Sequence, residues 1–261
     1  MPWANNNWER LLPITHERGY VIPAIGVEYE RCAEQLRDSI LHFHPAANVT
    51  IITADMLPYG DQGGFANDWQ CFATSPYRQT IKLEADMICV SPIDHWWTLF
   101  EHCDVVISQG ARTFYDQPAE SRSYRKIFDA NHLPDVYNAI TYWRLSATAK
   151  EFFDLVRQIF EQWDNYKKIL KFPDEVPTTD VVYAMAAVVM GPERVTLPAG
   201  LGPTIVHMKR HINPIQSNDW TKELTWENDP FRINTVSQWG MVHYHIKGWT
   251  NEQRPRQIKT Q

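Results

Sequence analysis

Residues 80–89 read TIKLEADMIC, an apolar run typical of a buried strand that contains two carboxylates, Glu84 and Asp86. Successive side chains of a strand face opposite ways, so residues two apart share a face. Two anions on one face repel each other unless a cation lies between them. Since ligands bind at the carboxyl ends of strands in open α/β sheets, the pair is suited to a divalent cation that holds a diphosphate. In the alternative interpretation, one acid caps the next turn and the other pairs with Arg78 or Lys82.

The segments around this run predict an α/β fold. An apolar strand at 19–26, a helix at 28–44 and a strand at 48–55 open a sheet with parallel strands. Further on we expect a short helix at 91–103, strands at 104–110 and 138–145, helices at 146–170 and 176–191, and a last strand at 240–249. Ser146 is the expected N-cap of the long helix. The pattern predicts one domain over 1–250, with a mixed, mainly parallel central sheet, flanking helices, an insertion at about 111–137 and a polar basic tail at 251–261.

The composition is that of an ordinary globular protein, with 44% hydrophobic and 21% charged residues in 261. No apolar run approaches the roughly 20 residues of a membrane span, and the first residues lack a signal-peptide pattern, so we expect a cytoplasmic protein. Four scattered cysteines argue against a disulfide framework or a cysteine-built zinc site. The net charge of −6 gives no overall attraction to nucleic acid.

The segment at 75–97, SPYRQTIKLEADMICVSPIDHWW, resembles the metal-binding segment of GT-A glycosyltransferases, particularly the glycogenin-like retaining enzymes. Their motif is an apolar strand that ends in DxD, whereas this chain has an ExD variant. The resemblance implies that Asp86 binds Mn²⁺ or Mg²⁺ directly, and that Glu84 contacts the metal, the donor ribose or both. It also implies a nucleotide-sugar donor, most simply a UDP-sugar. Arg78, in the same segment, is a further donor-binding candidate.

Three further segments extend the resemblance. The segment at 20–41 is similar to the first strand and helix of the family, which implies that Tyr29 stacks on the uracil of the donor. The segment at 135–156 is similar to the FNSG segment, so Asn138 would contact the acceptor, although Ala139 and Ile140 replace the usual Ser-Gly. The segment at 178–187 makes Asp180 the carboxylate near the transferred sugar. The simpler alternatives are that Tyr29 packs against the first helix and that Asp180 complements a helix dipole.

The final predicted strand, GMVHYHIKGW at 240–249, resembles the terminal HFxG…K segment of the family. A histidine of that segment completes the metal site, and both His243 and His245 are candidates because they would share one face of the strand. Lys247 would then contact the diphosphate, and Gly248 would allow close approach of the backbone. The spacing is shorter than in the family pattern.

The predicted insertion combines aromatic residues with Arg112, Arg122, Arg125 and Lys126, a mixture suited to stacking and phosphate contact. It predicts a nucleic-acid acceptor. The chain also resembles proteins of T4-like bacteriophages that attach sugars to 5-hydroxymethylcytosine in DNA, which would require base flipping.

One alternative is a transferase acting on a surface polysaccharide or lipid-linked glycan. A second is a non-catalytic nucleic-acid-binding protein, which would not explain the carboxylate pair together with a histidine. A nucleotidyltransferase would normally show a glycine-rich phosphate loop after its first strand, and this sequence has none.

Overall fold

A five-stranded sheet forms the centre of the structure, a computed structural model that describes residues 13–119, 125–173, 175–198 and 200–249. Its strand order is β2-β1-β3-β7-β5. The strands are β1 (His16–Pro23), β2 (Val49–Ile52), β3 (Tyr77–Leu83), β5 (Val105–Gln109) and β7 (Val136–Arg144). Strand β1 runs parallel to β2 and β3, whereas β7 is antiparallel to both β3 and β5. Only β7 is therefore reversed, and the predicted mixed, mainly parallel α/β sheet is confirmed.

A second, four-stranded sheet has the order β4-β12-β8-β6. Its strands are β4 (Met87–Cys89), β6 (Ala111–Arg112), β8 (Ile205–His207) and β12 (Met241–His243). Strand β12 is antiparallel to β4 and parallel to β8. A small antiparallel sheet is formed by β9 (Trp226–Asn228), β10 (Phe231–Ile233) and β11 (Val236–Ser237).

Eight α-helices accompany the sheets in the described ranges. They are α1 (Val27–Phe43), α2 (Cys71–Thr74), α3 (His95–Phe100), α4 (Lys126–Ala130), α5 (Ala147–Glu161), α6 (Trp163–Leu170), α7 (Thr179–Met190) and α8 (Pro192–Val195). The predicted glycine-rich loop at 61–69 contains a 3₁₀ helix, Gly64–Gln70. None of the helices in the described part of the chain is both long and apolar enough to cross a membrane.

The start of α5 is as predicted, because the Ser146 side chain accepts a hydrogen bond from the backbone N–H of Ala149. The single helix predicted over 146–170 is wrong. The chain forms two helices, and Gln162 between them leaves the helical conformation with φ −110° and ψ 21°. The apolar periodicity continues across this break, which is why the sequence pattern did not show it.

Apolar side chains pack on both faces of the central sheet. Alternate residues of β1 separate into two clusters, with Tyr20 and Ile22 in one and Val21 in the other. The first cluster also contains Leu36 of α1 and the residues of the four-stranded sheet. The second contains the apolar face of α5 and eight of the twelve residues of α7. Burial on both sides explains why these strands read as continuous apolar runs.

The predicted strand at 80–89 is two strands that belong to different sheets. Strand β3 ends at Leu83, Ala85 and Asp86 form a turn, and β4 begins at Met87. The expectation that alternation along one strand places both acids on one face is therefore wrong. Their proximity comes from the turn by which the chain passes from the central sheet to the four-stranded sheet.

The last predicted strand is also shorter than expected. Strand β12 ends at His243, and His245 has a left-handed backbone with φ 62°. Lys247 and Gly248 lie in a turn. The tail at 251–261 lies outside the described residues.

Candidate active site

The acidic turn and the end of β12 meet where the two sheets join. The Asp86 carbonyl accepts a hydrogen bond from the backbone N–H of Tyr244, and the N–H of Glu84 bonds to the carbonyl of Ala139 in β7. Both sheets thus fix the backbone of the turn. Because β12 pairs in register with β4 and β8, His243 lies between Met87 and His207.

The two acids and His243 form a compact cluster. The His243 Nε2 atom is 2.9 Å from Asp86 Oδ1 and 3.4 Å from Glu84 Oε2. His245 Nδ1 lies 4.0 Å from Asp86 Oδ2. The structure therefore brings together all four residues that the sequence offered as metal ligands, and Glu84, Asp86 and His243 present ligand atoms within 4.8 Å of one another.

Burial and charge set the protonation of this cluster. Burial raises the pKa of Glu84, although His243 and Lys82 oppose the rise. Burial would also raise the pKa of Asp86, but the charge and hydrogen bond of His243 outweigh it and hold that pKa well below its usual range. In turn, burial disfavours the charged form of His243, yet Asp86 and Glu84 raise its pKa above the ordinary value. Asp86 and His243 thus form a buried ion pair, and the carboxyl group of Glu84 lies desolvated beside it.

A cavity of about 720 Å³ opens beside the cluster. Its size is that of a small-molecule site rather than of a packing defect. Tyr29, Glu84, Asp86, Asp180, His243, His245 and Lys247 all line it. Seven of the residues predicted from the sequence thus share one cavity, although they are spread from α1 to the end of the described chain.

Tyr29 and Lys247 lie against each other in this cavity. The Lys247 Nζ atom is 3.1 Å from the centroid of the Tyr29 ring, which is 38% exposed. Burial lowers the pKa of Lys247, while Glu28 opposes the shift. The ammonium group therefore lies over the face of the aromatic ring in a cation–π contact.

Asp180 lies in the first turn of α7, after the N-cap residue Thr178. One of its carboxylate oxygens accepts a hydrogen bond of 2.8 Å from the backbone N–H of Asn138, and the other is 3.6 Å from Arg125 Nη2. The carboxylate lines the cavity while its orientation is fixed from β7 and from the residue before α4.

Three predicted residues do not face the cavity. Asn138 is fully buried: its Nδ2 donates to Asp68 and its Oδ1 accepts from Thr141, so the predicted direct contact with an acceptor is not what the structure shows. Arg78 lies near the opposite end of β3 and pairs with Glu17. Gly248 lies in the turn after Lys247, and a Cβ atom there would meet no atom within 4 Å.

Two arginines of the predicted insertion are largely buried, and Arg125 also lines the cavity. Arg112 is 7% exposed and donates to Asp116, to Thr204 and to the carbonyl of Trp239. Arg125 is 5% exposed and donates to Asp135 and to the carbonyl of Val136. The phosphate contact predicted for Arg112 is therefore corrected to a structural role, whereas that of Arg125 stays a prediction because its side chain lines the cavity. Lys126 is exposed, and Arg122 lies outside the described residues.

Sequence reasoning missed two groups at the site. The first is Asp68, which lines the cavity and accepts hydrogen bonds from Lys82, at 2.7 Å, and from Asn138 and Tyr183. The second missed group is His207, which lines the cavity beside His243 and His245. The sequence carries a signal for it, because TIVHMK at 204–209 and GMVHYHIK at 240–247 both place a histidine after an apolar pair and a lysine shortly after it.

No protein-family model matches the chain, and no curated protein matches it. Among solved structures, the chain is similar to mouse xyloside xylosyltransferase 1, with 10% identity, a TM-score of 0.41 and coverage of 70% of this chain and 85% of that one. A glycosyltransferase involved in glycosylation of the major capsid of PBCV-1 has 12% identity and a TM-score of 0.44, covering 89% and 95%. The glycosyltransferase GlyE of Streptococcus pneumoniae TIGR4 has 11% identity and a TM-score of 0.44, covering 93% of this chain and 58% of that one. We therefore base the functional proposal on the cavity itself.

Proposed function

We propose that the protein is a glycosyltransferase that moves a sugar from a nucleoside-diphosphate sugar, with UDP as the nucleotide, to a hydroxyl group. One observation carries this proposal: the carboxylates of Glu84 and Asp86 and the imidazole of His243 converge on a cavity whose wall also presents Tyr29 and Lys247. Hard and borderline divalent cations favour this mixture of oxygen and nitrogen ligands.

The residues present fit a divalent cation. Glu84, Asp86 and His243 would hold it, and it would supply Lewis-acid neutralisation of the charge that develops on the departing diphosphate. Mn²⁺ and Mg²⁺ are the ions we propose for this site.

The remaining residues have separable roles in the proposed reaction. In the proposed complex Lys247 leaves its place over the Tyr29 ring, which then stacks on the base, and contacts the phosphates, where it stabilises the leaving group. Asp180 faces the sugar, and the backbone of Asn138 and the guanidinium of Arg125 position its carboxylate. Asn138 is thus a positioning residue rather than a group that touches the substrate.

For the acceptor we propose 5-hydroxymethylcytosine in DNA as the first substrate to test. The feature that supports it is the exposed Lys126, which adjoins Ile127 and Phe128 on the cavity wall. The base would have to leave the duplex to reach the acidic turn. Hydroxyl groups of a surface polysaccharide or a lipid-linked glycan are the alternative acceptors.

Titration calorimetry with UDP, with and without Mn²⁺, tests the proposal. Wild-type protein should bind UDP at least about tenfold more tightly with Mn²⁺, and Asp86→Ala should abolish that gain. Asp38→Ala, on the exposed side of α1, is the matched control and should behave as wild type. Metal-independent binding of UDP that survives Asp86→Ala would contradict the proposed site. UDP release from UDP-sugars, assayed with hydroxymethylated DNA, unmodified DNA and glycans, then identifies the acceptor.

A further inference from the structure

His207 is a third imidazole beside the proposed active site that the proposed reaction does not use. It ends β8 and is 2% exposed, in register with His243 at the end of β12. Its ring centroid lies 5.2 Å from that of His243 and 4.5 Å from that of His245. Each of the three rings offers a nitrogen, and these nitrogens lie within 4.8 Å of one another.

The separation of two of these nitrogens suits a shared metal ion. His207 Nδ1 lies 3.1 Å from His245 Nε2. Two imidazoles bound to one ion at about 2.0–2.1 Å have their nitrogens about 2.9–3.4 Å apart, depending on the coordination angle. A hydrogen bond between the two rings has the same length, so distance alone does not separate the two arrangements.

Hydrogen bonding within the cluster is incomplete. His207 Nε2 and His243 Nδ1 are both buried and have no hydrogen-bond partner among the described residues. A buried polar nitrogen without a partner is destabilising. Three imidazoles are thus packed together although two of their buried nitrogens lack hydrogen-bond partners, and His207 presents its other nitrogen, Nδ1, to His245.

The imidazole cluster adjoins the acidic turn and shares His243 with it. The two nitrogens of the His245 ring point to different neighbours: Nε2 faces His207, and Nδ1 faces Asp86 at 4.0 Å. The left-handed backbone of His245, with φ 62°, turns the chain at this point. The His245 ring therefore lies between the carboxylate of Asp86 and the imidazole of His207.

We propose that His207, His243 and His245 form a binding site for a nitrogen-preferring divalent cation such as Co²⁺ or Zn²⁺, adjacent to the carboxylate site. Imidazole nitrogens suit these ions, whereas Mg²⁺ and Mn²⁺ favour carboxylate oxygens. The two donor groups share His243, so the ion held by the histidines alters the carboxylate site next to it. This site goes beyond the proposed function, because its occupation requires no nucleotide.

Calorimetric titration of the metal-free protein with Co²⁺ and, separately, with Mn²⁺, without nucleotide, tests the site. Visible absorption of the Co²⁺ form reports on nitrogen ligation. His207→Gln should weaken Co²⁺ binding at least about tenfold, as expected for loss of a ligand, and should change the Co²⁺ spectrum. Its effect on Mn²⁺ binding should stay within about twofold, because Glu84 and Asp86 are retained.

Two further variants keep the test decisive. His211→Gln replaces an exposed histidine shortly after β8 and should leave Co²⁺ binding unchanged. His245→Asn retains a residue type that accepts a left-handed backbone and should weaken Co²⁺ binding as His207→Gln does. Unchanged Co²⁺ affinity and spectrum in both cluster variants would overturn the proposal, as would equal losses of Co²⁺ and Mn²⁺. The UDP titration contains Mn²⁺ and no Co²⁺, whereas the Co²⁺ titration contains no nucleotide, so failure of one proposal is distinguishable from failure of the other.

Discussion

At the scale of single residues, Lys82 has the most constrained side chain near the site. It is fully buried and bonds to Asp68, which also accepts from Asn138 and Tyr183. We predict that Lys82→Met lowers the free energy of unfolding by about 3–5 kcal/mol, because it leaves the Asp68 carboxylate without its cation. Urea unfolding followed by far-ultraviolet circular dichroism measures the change.

The control for this prediction is Lys150→Met, which breaks a partly exposed pair with Asp154 on α5. Its effect should be about 0.3–0.5 kcal/mol. Adding Asp68→Asn to Lys82→Met removes the stranded charge and should recover part of the lost stability. Equal effects of the two lysine variants would show that burial of the Lys82–Asp68 pair does not matter for stability.

A second residue-scale prediction concerns pH. The folded-state pKa of His243 is raised by Asp86 and Glu84, so its contribution to stability is fully present below the unfolded pKa of about 6.5 and is lost as pH rises through the folded pKa. In the presence of EDTA, wild-type protein should therefore lose more stability between pH 6 and pH 8.5 than His243→Gln does. Urea unfolding at both pH values measures this difference, and parallel pH dependences would contradict the assignment.

At the scale of elements, the start of α5 depends on Ser146. Its side chain accepts from the backbone N–H of Ala149 at 3.1 Å. We predict that Ser146→Ala destabilises the protein by about 1 kcal/mol, since one N–H of the first turn loses its partner. Ser146→Asn retains a capping oxygen and should stay near wild type. Thermal and urea unfolding compare the three proteins, and an Asn variant as unstable as Ala would exclude capping as the cause.

At the scale of the whole molecule, the proposed site connects the two sheets through the turn at 84–86 and the end of β12. A ligand bound there should stabilise both sheets together. At a UDP concentration 100 times its dissociation constant, in saturating Mn²⁺, we expect the free energy of unfolding to rise by about 2.7 kcal/mol. Differential scanning calorimetry should show a single transition that moves to higher temperature. Two transitions, of which only one responds, would contradict this coupling.

Much of the fold could be predicted from local patterns. The apolar strands, the amphipathic α5 and its serine cap each depend on residues close in sequence, and the structure contains them. The points at which a helix or strand is interrupted were not predictable in the same way. The apolar pattern runs on through Gln162 and through the acidic turn, because burial against a second layer does not require the backbone to stay regular.

The α/β class and the candidate side chains for a metal and a nucleotide could be predicted from the sequence, because strand and helix periodicity and ligand chemistry are local properties. Which of these side chains meet depends on the tertiary structure. Pairing of β12 with β4 and β8 brings His243 to Asp86 and places His207 beside them, whereas packing withdraws Asn138 and Arg112 into hydrogen-bonded interiors. Strand pairing and burial join residues more than a hundred positions apart, and no local pattern encodes those distances.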